Sequence, residues 1–165
     1  VSDKVRPTSD KARESLFNIL SAQLEYPWSK YCLLDVFSGS GAIGLEALSR
    51  GAAAVTLIDI DTADSARNAK LFAAAPLQLK LLKADATKLP PADRTYDIVF
   101  LDAPYHLGLS ENALISLKQQ KWLKNNGLVI VETAKDEDLP LPPEFLPVDT
   151  RCYGIAKFTF LRFVQ

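Results

Sequence analysis

The stretch YCLLDVFSGSGAIGLEALSRG, residues 31–51, decides the fold. YCLLDVF, 31–37, is an apolar run of strand length carrying one acid, Asp35. IGLEALSRG has helical spacing and stops at Gly51. Between them Gly39, Gly41 and Gly44 stand in G-x-G-x-x-G spacing. Between a strand and a helix, that spacing brings backbone close to a ligand and offers it the free N–H groups of a helix start.

Outward from this unit the pattern repeats. AVTLID at 54–59 predicts a second strand and TADSARNAKLFAAA at 62–75 a helix. LKLLKAD at 79–85, YDIVFLD at 96–102 and GLVIVET at 127–133 predict three more strands. Ser110 can cap a helix running to about Trp122. Upstream, Ala12, Leu16, Phe17, Ile19, Leu20 and Leu24 share one helical face. Thr8 or Ser9 can cap that helix, Asp10 suits its dipole, and Pro27 ends it. Residues 1–9 are polar, and Pro7 keeps them extended. KDEDLPLPPEFLP at 135–147 predicts an irregular loop, and DTRCYGIAKFTFLRF at 149–163 a hairpin turning near Gly154. Strands that alternate with helices and are apolar throughout predict an α/β fold. It is a doubly wound, Rossmann-like parallel sheet with helices on both faces and an antiparallel hairpin at one edge.

The 165 residues suit one domain, 1–165, with an extended segment at 1–9. No 18-residue apolar run predicts a membrane span, and no signal peptide opens the chain. Cys32 and Cys152 lie far apart in apolar runs, which predicts buried free thiols and a cytoplasmic setting. The net charge of -1 means that a nucleic-acid partner needs a local basic patch. The chain starts at Val1 and has no methionine, so the natural N-terminus is expected upstream. A monomer is expected.

Asp35, Asp59, Asp85 and Asp102 all fall at predicted strand ends, where such sheets bind ligands. Asp59 follows Gly39 by 20 residues and can bind ribose hydroxyls. A ribose-bearing cofactor follows, either NAD or S-adenosylmethionine. Asp35 is awkward beside a pyrophosphate but useful beside the cationic amino-acid end of S-adenosylmethionine. Asp85 can accept from an adenine amine. Phe37 and Ser40 in the loop, and Ile60 and Ala86 beside the second and third acids, complete the candidate cofactor set.

DAPYH, 102–106, supplies the chemistry. D-A-P-Y is similar to the [D/N]-P-P-[Y/F/W] motif of methyltransferases that act on exocyclic amines. A nucleobase amine is a poor nucleophile because its lone pair is delocalised into the ring. Acceptors on its N–H groups, the Asp102 carboxylate and the Ala103 carbonyl, localise that pair as the nitrogen turns tetrahedral. Pro104 stiffens the turn. Tyr105 can stack on the base for about 1–3 kcal/mol. His106 is the only histidine and lacks partners at metal-ligand spacing, so it is assigned to the substrate side and no metal is expected. Arg6, Thr8 and Arg13 near the first helix are candidate substrate contacts. Trp28 and Trp122 are assigned to packing.

The runs VRPTSDKARESLFNIL, LLDVFSGSGAIGLEALSRGA, DIVFLDAPY and CYGIAKFTFLRF span nearly the whole chain. In them the chain resembles bacterial 16S ribosomal RNA guanine-N2 methyltransferases of the guanine(966) type. The resemblance implies a class I methyltransferase fold, seven strands with the last antiparallel, and S-adenosylmethionine as cofactor. It implies 16S ribosomal RNA as substrate, alone or in an assembled or assembling small subunit. Three departures stand out: Ala103 where the family has proline, Asp59 where it usually has glutamate, and no basic N-terminal hairpin before R-P-T. Rival readings are amino-methylation of another target (DNA adenine, other RNA, a protein glutamine), an NAD-dependent oxidoreductase, and a silent RNA-binding module. The oxidoreductase has no use for Asp102 to Tyr105, and Asp rather than Asn at 102 disfavours adenine and glutamine.

Overall fold

A computed structural model describes residues 9–72 and 78–165. Helix α1, Asp10–Gln23, is capped by Ser9, whose hydroxyl accepts the Ala12 N–H at 3.2 Å. It stops at Gln23, ahead of Pro27, because Leu24 turns extended. A short 3₁₀ turn at Trp28–Lys30 leads into strand β1, Cys32–Val36, and helix α2, Ala42–Ser49, follows. Strand β2, Ala54–Asp59, helix α3, Ala63–Ala69, and strand β3, Leu79–Lys83, come next. The far end of the helix expected over 62–75 lies partly outside the described residues.

Strand β4, Tyr96–Leu101, precedes helix α4, Leu109–Gln119. Its N-cap is Gly108 at φ 68°, not Ser110, which is buried in the first turn. Strand β5, Leu123–Ala134, starts earlier than its apolar run. It opens with exposed Lys124, Asn125 and Asn126, and its register against β4 shifts between Tyr96 and Ile98. Strand β6, Phe145–Tyr153, begins inside the expected loop, and β7, Ala156–Phe163, closes the hairpin around Gly154. Pro147 is tolerated there because β6 is an edge strand with a register irregularity at that point.

The seven strands lie in the order β3-β2-β1-β4-β5-β7-β6. β1 to β5 pair in parallel, while β7 runs antiparallel to both β5 and β6. Alternation along the strands divides the core in two. On one face Leu16, Phe17 and Leu20 of α1 pack over Leu33, Phe100 and Ile130. On the other, Ala113, Leu114 and Leu117 of α4 pack over Leu34, Val99 and Val129. Both edge strands are less buried than the sequence suggests: β3 keeps no fully buried residue and β6 only Phe145. Charged or proline-bearing edges of this kind resist pairing with other chains. The cysteines also differ from expectation. Both are free, but Cys32 is only half-buried and Cys152 is exposed on the edge strand.

Strand order reverses beside β1, which has β2 on one side and β4 on the other. A crevice opens at the carboxyl ends of the strands at such a switch point. The glycine loop leaves β1 there, and DAPYH leaves β4.

Candidate active site

The glycine loop is held from three directions. The Gly39 N–H donates to Asp59 Oδ2 at 2.8 Å, and the Ser38 N–H to the Ile58 carbonyl at 2.9 Å, so β2 grips the loop. Asn68 of α3 donates through Nδ2 to the Ser40 carbonyl at 2.8 Å. From β1, Asp35 Oδ2 accepts the Gly44 N–H at 3.0 Å. The second and third glycines are steric requirements. A Cβ on Gly44 would stand 2.2 Å from Leu57 Cδ2, and one on Gly41, at φ 81°, would stand 2.9 Å from Leu57 Cδ1. Only bare backbone lets α2 lie this close to β2. Gly39 differs: a Cβ there would meet nothing within 4 Å, so its backbone faces open space.

Phe37 adopts φ 58°, a left-handed conformation costing a non-glycine residue about 1–2 kcal/mol. Such strain gathers where a loop must present backbone to a ligand. The Ser38 hydroxyl is buried without a hydrogen-bond partner among the described residues. Sequence reading had not singled out Ser38 or Asn68. Ser38 sits inside the glycine motif and could have been suspected; Asn68 is one polar residue among several on its helix.

The four acids differ in their surroundings. Asp35 is 2% exposed, and burial pushes its carboxyl from 3.8 up to about 8; the Gly44 N–H pulls the other way, and Asp59 adds to the rise. Asp59 spends one oxygen on Gly39, and Oδ1 accepts the Asp61 N–H at 3.1 Å. A carboxyl group offers about four lone-pair sites, so capacity for ribose hydroxyls remains. Asp85 is exposed, and Oδ1 accepts both the hydroxyl and the N–H of Thr87, which hold its carboxyl below the usual range. Ala86 beside it is buried, whereas Ile60, just past Asp59, is 68% exposed. The exposed Ile60 side chain beside Asp59 offers an apolar face suited to a flat ring. These residues fit an adenosine-bearing cofactor whose far end is cationic.

Asp102 sits one residue past β4, and its N–H reaches the Val36 carbonyl of β1 at 3.2 Å. That bond brings the DAPYH turn beside the glycine loop. Ala103 is buried with its methyl in the core, Pro104 is exposed, and Tyr105 is half-buried, its hydroxyl donating to Glu132 Oε2 at 2.9 Å. His106, at φ 62°, is exposed; its N–H donates to Glu137 Oε2 at 2.8 Å and its Nε2 lies 3.5 Å from Asp136. A groove of about 530 Å³ adjoins this turn, lined by Tyr105, His106, Lys135 and Asp136 and by Gly154 and Ile155 of the β6–β7 turn.

The strand-end acids and the turn thus share the carboxyl edge of the sheet. Arg13 is engaged elsewhere, 3.1 Å from Asp10 and 3.9 Å from Glu46, and ties α1 to α2. Arg6 and Thr8 lie outside the described residues. Trp122 is buried, stacked on Tyr96, and donates to the Pro90 carbonyl; Trp28 packs on Phe17. Glu132, 2% exposed and two residues before the end of β5, is an acid that sequence reading passed over. Unlike Asp59, Asp85 and Asp102 it lies inside its apolar run rather than at the close.

Three known proteins set the chain in context. It is 36% identical to ribosomal RNA small subunit methyltransferase D of Haemophilus influenzae, over 95% of this chain and 82% of that protein. The solved structure of the Escherichia coli protein yhhF superposes with a TM-score of 0.79, at 32% identity, over 99% of this chain and 90% of that one. An RNA methyltransferase from Salinibacter ruber, solved with S-adenosyl-L-homocysteine, shares the fold at 18% identity and a TM-score of 0.68, over 97% and 95% of the two chains. The family described as conserved hypothetical protein 95 matches residues 1–162. The chain belongs to this family, the one that includes ribosomal RNA small subunit methyltransferase D.

Proposed function

We propose that the protein transfers a methyl group from S-adenosylmethionine to the exocyclic N2 amine of a guanine in 16S ribosomal RNA, at a site of the guanine(966) type. The observation that carries this is the meeting of two elements at the β1–β4 switch point. A glycine loop braced by Asp35 and Asp59 leaves β1, and an acid-Ala-Pro-Tyr turn leaves β4, bonded to β1 through Asp102 and Val36. When bound, S-adenosylmethionine supplies an already activated methyl group. The chain has then to hold the amine in line and to accept its N–H groups. Asp102 and the Ala103 carbonyl are the acceptors. Tyr105 stacks on the base, and the groove beside it, with His106 and Lys135, accommodates flanking RNA.

The protein acts in the cytoplasm as a monomer, on ribosomal RNA that is part of a forming or formed small subunit. The test is single-turnover methylation of undermethylated small subunits with labelled cofactor, followed by mapping of the modified nucleotide. Asp102→Ala should lower turnover on the order of 100-fold, as loss of one preorganised hydrogen-bonding group does elsewhere. Cofactor affinity measured by calorimetry should hardly change. Wild-type turnover in this variant would reduce Asp102 to the start of a loop, and a label outside guanine N2 would reassign the substrate.

A further inference from the structure

We propose that Glu132 is a positioning residue that fixes the plane of the Tyr105 ring for the substrate base, by holding the phenol hydroxyl from β5. The proposal rests on the reading of Tyr105 as the stacking residue.

Between Gly127 and Ala134 every residue of β5 is buried, and Glu132 is the one charged residue type in that run. A carboxyl group in such a place is costly, and an apolar side chain of similar volume would commonly serve stability as well or better. Its presence there calls for a task. Sheet register supplies the location. Leu101 of β4 pairs with Val131 of β5, so one residue further on Asp102, just past β4, lies level with Glu132, still within β5. The acid is therefore placed beside the turn that carries the reacting groups, level with Asp102 and three residues short of Tyr105.

The contact itself joins the end of the ring to the sheet. Tyr105 Oη donates to Glu132 Oε2 at 2.9 Å, good geometry for a hydroxyl donor. A tyrosine ring has two rotatable side-chain bonds. Anchored by its backbone at one end and its hydroxyl at the other, it keeps one plane. A second brace, Glu137 in the loop just past β5, holds the next residue. Glu137 Oε1 accepts the Ala134 N–H at 3.2 Å while Oε2 accepts the His106 N–H at 2.8 Å. β5 and the loop that follows it thus hold the turn at two successive residues, Tyr105 through its side-chain hydroxyl and His106 through its backbone N–H. A ring held in place loses less freedom when a base stacks on it, and preorganisation of that kind appears as affinity.

The test compares Tyr105→Phe, Glu132→Leu, Glu132→Gln and the Tyr105→Phe/Glu132→Leu pair in steady-state methylation of undermethylated small subunits. Tyr105→Phe keeps the ring and removes the bond; Glu132→Gln keeps an acceptor oxygen. Tyr105→Phe and Glu132→Leu should each raise the KM for the RNA substrate on the order of tenfold, the factor a lost hydrogen bond carries. kcat should move much less. Glu132→Gln should restore most of the loss, and the pair should be no worse than either single change. Calorimetric affinity for S-adenosylhomocysteine should stay at the wild-type level throughout, which general damage to the fold would not allow. Should Glu132→Leu fail to fold, Tyr105→Phe removes the same bond from the turn and carries the test.

A wild-type KM in Tyr105→Phe, or losses that multiply in the pair, would overturn the tether. Tyr105→Ala separates this failure from that of the stacking role. If Tyr105→Ala raises KM and Tyr105→Phe does not, only the tether is wrong. If neither does, the stacking role is wrong as well.

Discussion

In the proposed cofactor site, Asp35 would couple binding to pH. Burial raises its carboxyl to about 8, so between roughly pH 4 and 8 the native state holds a proton that the unfolded chain gives up. Its contribution to stability is therefore greatest below the unfolded value and is lost as pH rises toward 8. A cation facing Asp35 favours the ionised form, so cofactor binding at pH 7 should expel a proton. Calorimetry in buffers of different ionisation heat reads this directly: release at pH 7, little at pH 9.5, none in Asp35→Asn. Equal heats in all buffers would mean that Asp35 does not face the cationic end. At this scale the placement of Asp35, Asp59, Asp85 and Asp102 at or near strand ends was legible, because each stands at or near the close of an apolar run. Glu132 escaped because Thr133 follows it, which put the acid inside the run rather than at its close. The left-handed φ of Phe37 was not legible at all, since phenylalanine carries no signal for that conformation.

Helix α2 is seated by Gly44. With Leu57 Cδ2 at 2.2 Å and Val55 Cγ1 at 2.9 Å from the added carbon, Gly44→Ala forces α2 away from β2. Overpacking of this kind costs typically about 1–3 kcal/mol. For a domain of this size each kcal/mol lowers Tm by about 2–4 °C, so thermal melts should show a loss of several degrees. An unchanged Tm would show slack between helix and strand. Elements with an uninterrupted apolar run, β1, β2 and β4, were read from sequence to within about two residues. Those that departed have a local cause. Helix α4 starts after Gly108 because glycine supplies the left-handed turn that Ser110 cannot. Strand β5 gains a polar opening that no apolar pattern marks, and β6 shows its alternation only weakly because it pairs on one side alone.

At the scale of the whole molecule, a ligand that binds only the native state stabilises it by mass action. At one hundred times its dissociation constant, S-adenosylhomocysteine should add about 2.7 kcal/mol and raise Tm by several degrees, whereas NAD should leave it unchanged. A shift with NAD alone would reassign the cofactor. The doubly wound sheet was legible because strands and helices alternate over most of the stretch from β1 to β5. The hairpin pattern predicted pairing at one edge but did not say which of its strands lies inside; the observed order puts β7 there, between β5 and β6. This placement bears on how the molecule is made. Translation delivers β5 first and β6 second, yet the strand that joins them is delivered third. Until residues 156–163 have left the ribosome, β5 has an open hydrogen-bonding edge and Phe158 and Phe160 are missing from the core. The sheet therefore cannot be completed strand by strand in the order of synthesis. The nascent chain must wait with an exposed sheet edge, the state in which chaperones bind and neighbouring chains misassemble.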